Sequence, residues 1–133
     1  MVCLETTFIV DFLRGVESAV ERMHQLVSGS EAVTVAAPTI VELATGAHLA
    51  ESPHEQEQLH ELLTRLTTLP LDQRAALLTG ELQAKLIKAG ETIGHVDVTI
   101  AAIALTHGEK LLTHNVKHFS GIPELVVEGY GKA

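Results

Sequence analysis

Three carboxylates and one amide occur where a folded chain could bring them together. Glu5 directly follows one short apolar run, and Asn115 closely follows another. Glu42 stands one turn into a helical segment, and Asp97 opens a helical segment that is almost wholly apolar. Carboxylates suit a hard divalent cation as ligands, and several of them in one place repel one another when no cation is present. These residues therefore have a chemical reason to be considered together.

The elements that must position these residues alternate between short apolar strands and amphipathic helices. Strands are predicted at residues 2–4, 33–36, 110–113 and 125–127, with a short extended piece at 69–71. Helices are predicted at about residues 7–13 and 16–27, after Pro38, after Pro53, from Asp72 to Gly90 and from Asp97 to Gly108. Short apolar strands separated by helices predict a parallel sheet covered on both faces. Ligands of such open sheets bind beyond the carboxyl ends of the strands, where Glu5 and Asn115 are expected.

Length and composition favour one domain that spans residues 1–133. A hydrophobic content of 46% excludes disorder and allows a core without disulfides. The lone cysteine, Cys3, is interpreted as a buried apolar residue rather than a nucleophile, and its isolation favours a cytoplasmic location. No apolar stretch approaches the ~20 residues that span a bilayer, and no signal peptide is recognisable, so we expect no membrane association.

The net charge of −8 disfavours one class of function. Proteins that bind long stretches of nucleic acid usually carry a basic excess that neutralises phosphate, whereas the nine basic residues here are scattered along the chain. The charge says less about a short contact at a metal centre, because a carboxylate site itself contributes negative charge. The sequence also contains neither a glycine-rich phosphate loop nor a serine nucleophile elbow.

Four blocks of sequence combine an acidic or amide residue with apolar neighbours. Residues 2–15 give an apolar strand, Glu5 and an aliphatic helix that ends Leu-Arg-Gly. Residues 39–47 read Thr-Ile-Val-Glu-Leu-Ala-Thr-Gly-Ala, residues 94–102 place Asp97 shortly before Ile-Ala-Ala, and residues 111–119 read Leu-Leu-Thr-His-Asn-Val-Lys-His-Phe. In this order and at these separations, the blocks resemble those of the VapC-type PIN-domain toxins. The resemblance covers nearly the whole chain.

The resemblance implies a fold, an activity and partners. The fold would be α/β, a PIN-like three-layer α/β/α sandwich with a short, mainly parallel central sheet. The activity would be that of a Mg²⁺- or Mn²⁺-dependent endoribonuclease, which hydrolyses phosphodiester bonds in RNA as the toxin of a type II toxin–antitoxin pair. Its partners would be an RNA substrate, a cognate antitoxin protein and a second copy of the chain in a homodimer.

The resemblance also implies roles for individual residues. Carried over by position, the metal-binding carboxylates are Glu5, Glu42 and Asp97, and the fourth catalytic position is Asn115. Polar neighbours of these ligands would be Thr6 or Thr7, and Thr113. The first acidic residue of the family is ordinarily Asp, so the carboxylate of Glu5 stands one methylene further from the backbone. Since Mg²⁺ tolerates little error around ~2.0–2.1 Å, this substitution would move the metal, weaken its binding or be absorbed by a backbone shift.

Each candidate also has a simpler structural interpretation. Asp97 could be the N-cap of its helix, and Glu5 could cap the first helix through its side chain. Glu42 could be a solvated edge residue, and Asn115 could fix a turn.

Other polar residues have simple interpretations as well. Asp11 and Arg14 could form an exposed ion pair on the first helix. His114 and His118 stand four residues apart, as zinc ligands sometimes do, but a chance surface pair is favoured because no third ligand is in sight.

Two functions remain as alternatives to the ribonuclease toxin. A PIN-like domain that binds RNA or protein without cutting it would be consistent with Glu5 in place of Asp and with the neutral Asn115. A structure-specific DNA nuclease is a third possibility, although the small size of the chain counts against it.

Overall fold

Five short strands form one parallel sheet at the centre of the computed structural model, which describes residues 1–131. The strands are β1 (Val2–Leu4), β2 (Val33–Ala36), β3 (Thr67–Leu69), β4 (Lys110–Leu112) and β5 (Val127–Glu128). Their order across the sheet is β3-β2-β1-β4-β5, and every pairing is parallel. The parallel sheet predicted from the short apolar strands is therefore confirmed.

Helices cover both faces of this sheet and complete three layers. They are α1 (Thr6–Leu13), α2 (Glu17–Ser28), α3 (Ala37–Leu49), α4 (Pro53–Leu63), α5 (Gln73–Lys88), α6 (His95–Thr106) and α7 (Val116–Phe119). Successive side chains of a strand point to opposite faces. Accordingly, Val2 and Leu4 of β1 join an apolar cluster with α1 and α2, whereas Cys3 joins a second cluster with α5 and α6. The predicted three-layer α/β/α architecture is thus confirmed.

Two predictions about buried residues are confirmed. Helix α6 is buried from Val98 to Ala104, as its almost wholly apolar sequence indicated. Cys3 is fully buried, and burial raises the pKa of its thiol to about 12, so the thiol is not a nucleophile at neutral pH. Within residues 1–131, no helix is both long enough and apolar enough to cross a bilayer.

Some boundaries differ from those expected. Strand β3 ends at Leu69, the first residue of the extended piece predicted at residues 69–71, because Pro70 has no N–H with which to continue a ladder. Helix α6 begins at His95, since the N–H of Val98 already bonds the carbonyl of Gly94 at 3.1 Å. The short helix α7 was not predicted. The elements that matter for the four candidate residues are otherwise those expected from the sequence.

Asp72 provides a local test of the fold away from the candidate residues. Its side chain caps α5 by accepting the N–H of Ala75 at 2.9 Å. We expect Asp72→Ala to lower the free energy of unfolding by about 1 kcal/mol, because one N–H at the helix start loses its acceptor. Asp72→Asn keeps an acceptor oxygen and should lose only a few tenths of that amount. Urea unfolding of the two variants measures the difference, and equal losses would contradict the capping role.

Candidate functional site

The candidate residues meet at the edge of the sheet formed by the carboxyl ends of β1, β2 and β4. Leu4 is paired with Leu112, so both strands end at the same level. The N–H of Glu5 continues this pairing and bonds the carbonyl of Leu112 at 2.9 Å. Helix α3 starts directly after β2 and brings Glu42 to the same edge. The parallel topology thus explains why residues so distant in sequence converge.

Glu5 is a buried carboxylate held at the start of α1. Its side chain is only 2% exposed. Oε1 accepts three hydrogen bonds, from the N–H of Thr7 at 3.2 Å, from its hydroxyl at 2.5 Å and from the hydroxyl of Thr113 at 2.5 Å. The helix-capping interpretation of Glu5 is therefore confirmed. Oε1 accepts all three bonds, and Oε2 takes part in none of them.

The electrostatic environment of Glu5 disfavours its charged form. Burial raises its pKa, and the nearby charge of Asp97 raises it further, while the bonds from Thr113 and Thr7 act in the opposite direction. The net shift is upward. A nearby positive charge would compensate for both unfavourable contributions.

Two threonine hydroxyls connect Glu5 with the loop after β4. The hydroxyls of Thr7 and Thr113 lie 3.2 Å apart. Thr7 also accepts the N–H of His114 at 3.0 Å, and Thr113 accepts the N–H of Asn115 at 3.0 Å. The two residues predicted as polar neighbours of the ligands thus fix the carboxylate and the loop to each other.

Glu42 and Asp97 are each held by one neighbouring side chain. Oε1 of the exposed Glu42 accepts the hydroxyl of Thr6 at 2.6 Å. Asp97 lies in the first turn of α6, where its Oδ2 is 2.7 Å from Nε2 of His118. The N-cap interpretation of Asp97 is wrong: the cap is Gly94, and no side chain caps this helix.

Asn115 is the N-cap residue of α7, at the same edge of the sheet. Its side chain is exposed and makes no capping hydrogen bond. Asn115 therefore lies between β4 and α7, with its exposed side chain at the surface of the site.

The comparisons with known proteins agree with this arrangement. A sequence model of the PIN domain matches residues 2–125. The chain belongs to the PIN-domain family. It is 31% identical over 131 residues to ribonuclease VapC1 of Haemophilus influenzae, and this alignment covers 97% of each chain. It is also 32% identical over 93 residues to the tRNA(fMet)-specific endonuclease VapC of Salmonella typhimurium, covering 69% of this chain and 70% of the relative.

Solved structures agree with the sequence comparisons. The crystal structure of VapBC2 from Rickettsia felis bound to a promoter DNA fragment contains a chain that superposes with a TM-score of 0.90 and 26% identity. The match covers 98% of this chain and 99% of that one. The predicted resemblance to VapC-type PIN domains is confirmed.

The carboxylates of this PIN domain share one edge without forming a tight cluster. The charge of Asp97 acts on Glu5, and Glu42 accepts a hydrogen bond from Thr6, the residue next to Glu5. Among residues 1–131, no three His, Cys, Asp or Glu side chains are arranged closely enough to hold one metal ion. The roles assigned to Glu5, Glu42, Asp97 and Asn115 by resemblance therefore stay predictions.

Two residues of this PIN domain were not singled out as important by their sequence context. His118 contacts Asp97, and the ring of His114 lies 6.3 Å from that of Tyr130. Tyr130 donates its hydroxyl to Asp11, which is buried rather than exposed as expected from the sequence. The ring of Tyr130 also packs edge-on against Phe8 at 5.0 Å.

Thr113 offers a test of the hydrogen bonds around Glu5. Thr113→Val keeps the shape of the side chain but removes the donor to Glu5 and the acceptor for the N–H of Asn115. We expect RNA cleavage to fall about 10-fold or more, because groups that orient a metal ligand typically contribute this much. Thr113→Ser retains the hydroxyl and should stay within a few-fold of the wild type. Equal activity of the valine and serine variants would contradict the role of this hydroxyl.

Proposed function

We propose that this PIN domain is a divalent-metal-dependent endoribonuclease, the toxin of a toxin–antitoxin pair, in which Glu5, Glu42 and Asp97 would close around Mg²⁺ or Mn²⁺, since these three carboxylates do not converge on one point without it. One observation carries the metal assignment. Each of these three carboxylates, at one edge of the sheet, is anchored through a single oxygen: Oε1 of Glu5, Oε1 of Glu42 and Oδ2 of Asp97. A hydrogen bond to one oxygen orients the carboxylate. The second oxygen takes no part in that bond and is the atom that would bind the cation.

The chemistry of these side chains fits a hard cation. All of the donors are oxygen atoms, which Mg²⁺ and Mn²⁺ prefer over sulfur or a pair of imidazoles. The burial of Glu5 and the charge of Asp97 both raise the pKa of Glu5, and a divalent cation would favour the ionised form of Glu5. Burying and gathering these carboxylates costs less free energy when a cation is bound than when none is.

Hydrolysis of a phosphodiester bond needs an activated water and a place for charge that develops on the phosphoryl oxygens. A divalent cation at this edge would supply both. Glu5 is the rigid member of the site, since Thr7 and Thr113 hold it in place. The exposed carboxylate of Glu42 can orient the attacking water or accept its proton. The exposed amide of Asn115 can donate a hydrogen bond to water or phosphate, but it is too weak to act as a base.

RNA is the substrate that the relatives support. Two of them are named a ribonuclease and a tRNA-specific endonuclease. The net charge of −8 agrees with a short contact around one phosphodiester bond better than with an extended nucleic-acid surface. The related VapBC2 structure supports an antitoxin as the protein partner of this chain. Assembly into a homodimer stays a prediction.

Cleavage of a circular single-stranded RNA tests the activity directly. A circle has no ends, so only an endonuclease converts it into a linear product. We expect linear RNA to form with Mn²⁺ present. A circular DNA of the same sequence is the control, and we expect it to stay intact. Cleavage of the DNA circle alone would favour a DNA nuclease instead, and two intact circles would contradict the proposal.

Two observations favour a second candidate, a PIN domain that binds without cutting. Within the described part of the chain, no three metal-binding side chains converge on one point, and Glu5 is longer than the usual Asp. Thermal unfolding with Mn²⁺ separates the two candidates. A metal-binding nuclease gains about 2.7 kcal/mol at a Mn²⁺ concentration of 100 times Kd, whereas a domain without a metal site gains nothing.

A further inference from the structure

His118 makes a direct contact with a carboxylate of the proposed metal site. Its Nε2 lies 2.7 Å from Oδ2 of Asp97. An ionised carboxylate only accepts hydrogen bonds, so Nε2 must carry the proton and donate it. We propose that His118 is a positioning residue that holds Asp97 in the orientation required for binding a divalent cation. This inference rests on the proposed function, because it concerns the same metal site.

The position of His118 is stabilised by its contact with a residue of the hydrophobic core. The residue lies in α7, where its neighbour Phe119 is fully buried in the cluster formed with α5 and α6. The two rings meet edge to face, with centroids 5.1 Å apart and an interplanar angle of 85°. An exposed loop histidine would sample many rotamers, whereas this one is supported by a core residue. The donor is therefore held in place before any ligand arrives.

Asp97 needs such a partner because little else holds its side chain. It is 30% exposed and lies in the first turn of α6. A Cβ placed on Gly94 would lie 3.9 Å from Oδ2, so this oxygen folds back over the N-terminus of the helix. His118 meets Oδ2 there, and the contact leaves Oδ1 outside the bond. Carboxylates that ligate metals are commonly held by a hydrogen bond to the other oxygen in this way.

A surface ion pair between Asp97 and His118 would be the plainer interpretation. Such pairs contribute little to stability, and both side chains here are partly exposed. The two interpretations differ in what they predict for the metal. A surface pair that competes with the cation would weaken metal binding, so its removal would tighten binding. A positioning residue strengthens metal binding, so its removal would weaken it.

The test is the affinity of the full chain for Mn²⁺, measured by calorimetric titration. We expect His118→Leu to bind Mn²⁺ about 10- to 100-fold more weakly than the wild type, the range typical of a lost partner of a ligand. His118→Gln should recover most of the affinity, because its amide can also donate to Asp97. At saturating Mn²⁺, the kcat of His118→Leu should approach that of the wild type, which a misfolded variant would not achieve.

His95→Asn is the matched control. His95 is exposed, lies two residues from Asp97 and makes no hydrogen bond through its ring in residues 1–131. We expect its Mn²⁺ affinity to equal that of the wild type. If both variants weakened binding equally, the effect would come from the local charge rather than from the hydrogen bond, and the inference would be wrong. Unchanged or tighter binding by His118→Leu would overturn it as well.

A measurement without metal separates this inference from the proposed function. The nitrogen chemical shifts of the His118 ring in metal-free protein should show a proton on Nε2, and this signal should change in Asp97→Asn. A ring with no proton on Nε2 would contradict the present inference alone. A wild-type chain that binds no Mn²⁺ would contradict the proposed metal site, and the positioning role with it.

Discussion

Replacing Asp97 with asparagine is expected to lower RNA cleavage about a thousand-fold, which corresponds to about 4 kcal/mol of transition-state stabilisation. The substitution keeps the size of the side chain and an oxygen that can accept the bond from His118. What it removes is the negative charge that would bind the cation in the proposed site. Because the side chain is partly exposed, we expect the free energy of unfolding without metal to change by about 0.5 kcal/mol or less.

The matched control for this variant is Asp72→Asn. It makes the same chemical change at a helix cap that belongs to α5 and not to the site. We expect its cleavage rate to equal that of the wild type. Cleavage by Asp97→Asn at the rate of this control would show that Asp97 does not bind a catalytic metal.

Replacing Glu5 with glutamine is expected to separate stability from activity. Cleavage should fall at least a hundred-fold, since the most buried carboxylate of the site loses its charge. The metal-free protein, however, should become more stable at neutral pH, because the uncharged amide avoids the desolvation that raises the pKa of Glu5. The amide oxygen can still accept the bonds from Thr7 and Thr113.

The same variant predicts a pH dependence. The pKa of Glu5 is raised in the folded protein, so the folded state binds this proton more tightly than the unfolded chain does. The stability of the metal-free protein due to this group is therefore greatest in acid and falls as the pH rises from the ordinary pKa through the raised one. Thermal unfolding in EDTA from about pH 4 to pH 8 should show this fall, and Glu5→Gln should lack it.

Glu109 provides the control for both effects. It is the other buried glutamate, it accepts the hydroxyl of Thr34 at 2.7 Å, and it stands at the amino end of β4, at the opposite edge of the sheet. Glu109→Gln should leave RNA cleavage unchanged and keep the pH dependence that Glu5 causes. Loss of cleavage in Glu109→Gln to the same extent as in Glu5→Gln would mean that the effect of Glu5 is structural.

The sequence was sufficient to predict the layers of the fold. Short apolar strands without alternation can only be buried on both faces, which requires helices on both sides of a parallel sheet. The alternation of Val2, Cys3 and Leu4 between two cores is the direct expression of that rule. The exact ends of elements were less predictable, because they depend on single backbone bonds such as that between Val98 and Gly94.

The site was only partly predictable, because its contacts connect residues that are distant in sequence. The resemblance pointed to Glu5, Glu42 and Asp97, and the structure places them at one sheet edge. Nothing in the local sequence indicated that His118 would contact Asp97, because the two residues are 21 positions apart. Glu109 lies between glycine and lysine and has the sequence context of an exposed turn, yet it is buried against Thr34.

The most direct test of the central claim is cleavage of a mixed-sequence single-stranded RNA by the purified chain, in EDTA and after Mn²⁺ is restored, beside Asp97→Asn. We predict no cleavage in EDTA, cleavage by the wild type with Mn²⁺, and a rate about a thousand-fold lower for the variant under the same conditions. Cleavage by the wild type in EDTA, or no cleavage in any metal, would contradict a metal-dependent ribonuclease built on this group of carboxylates.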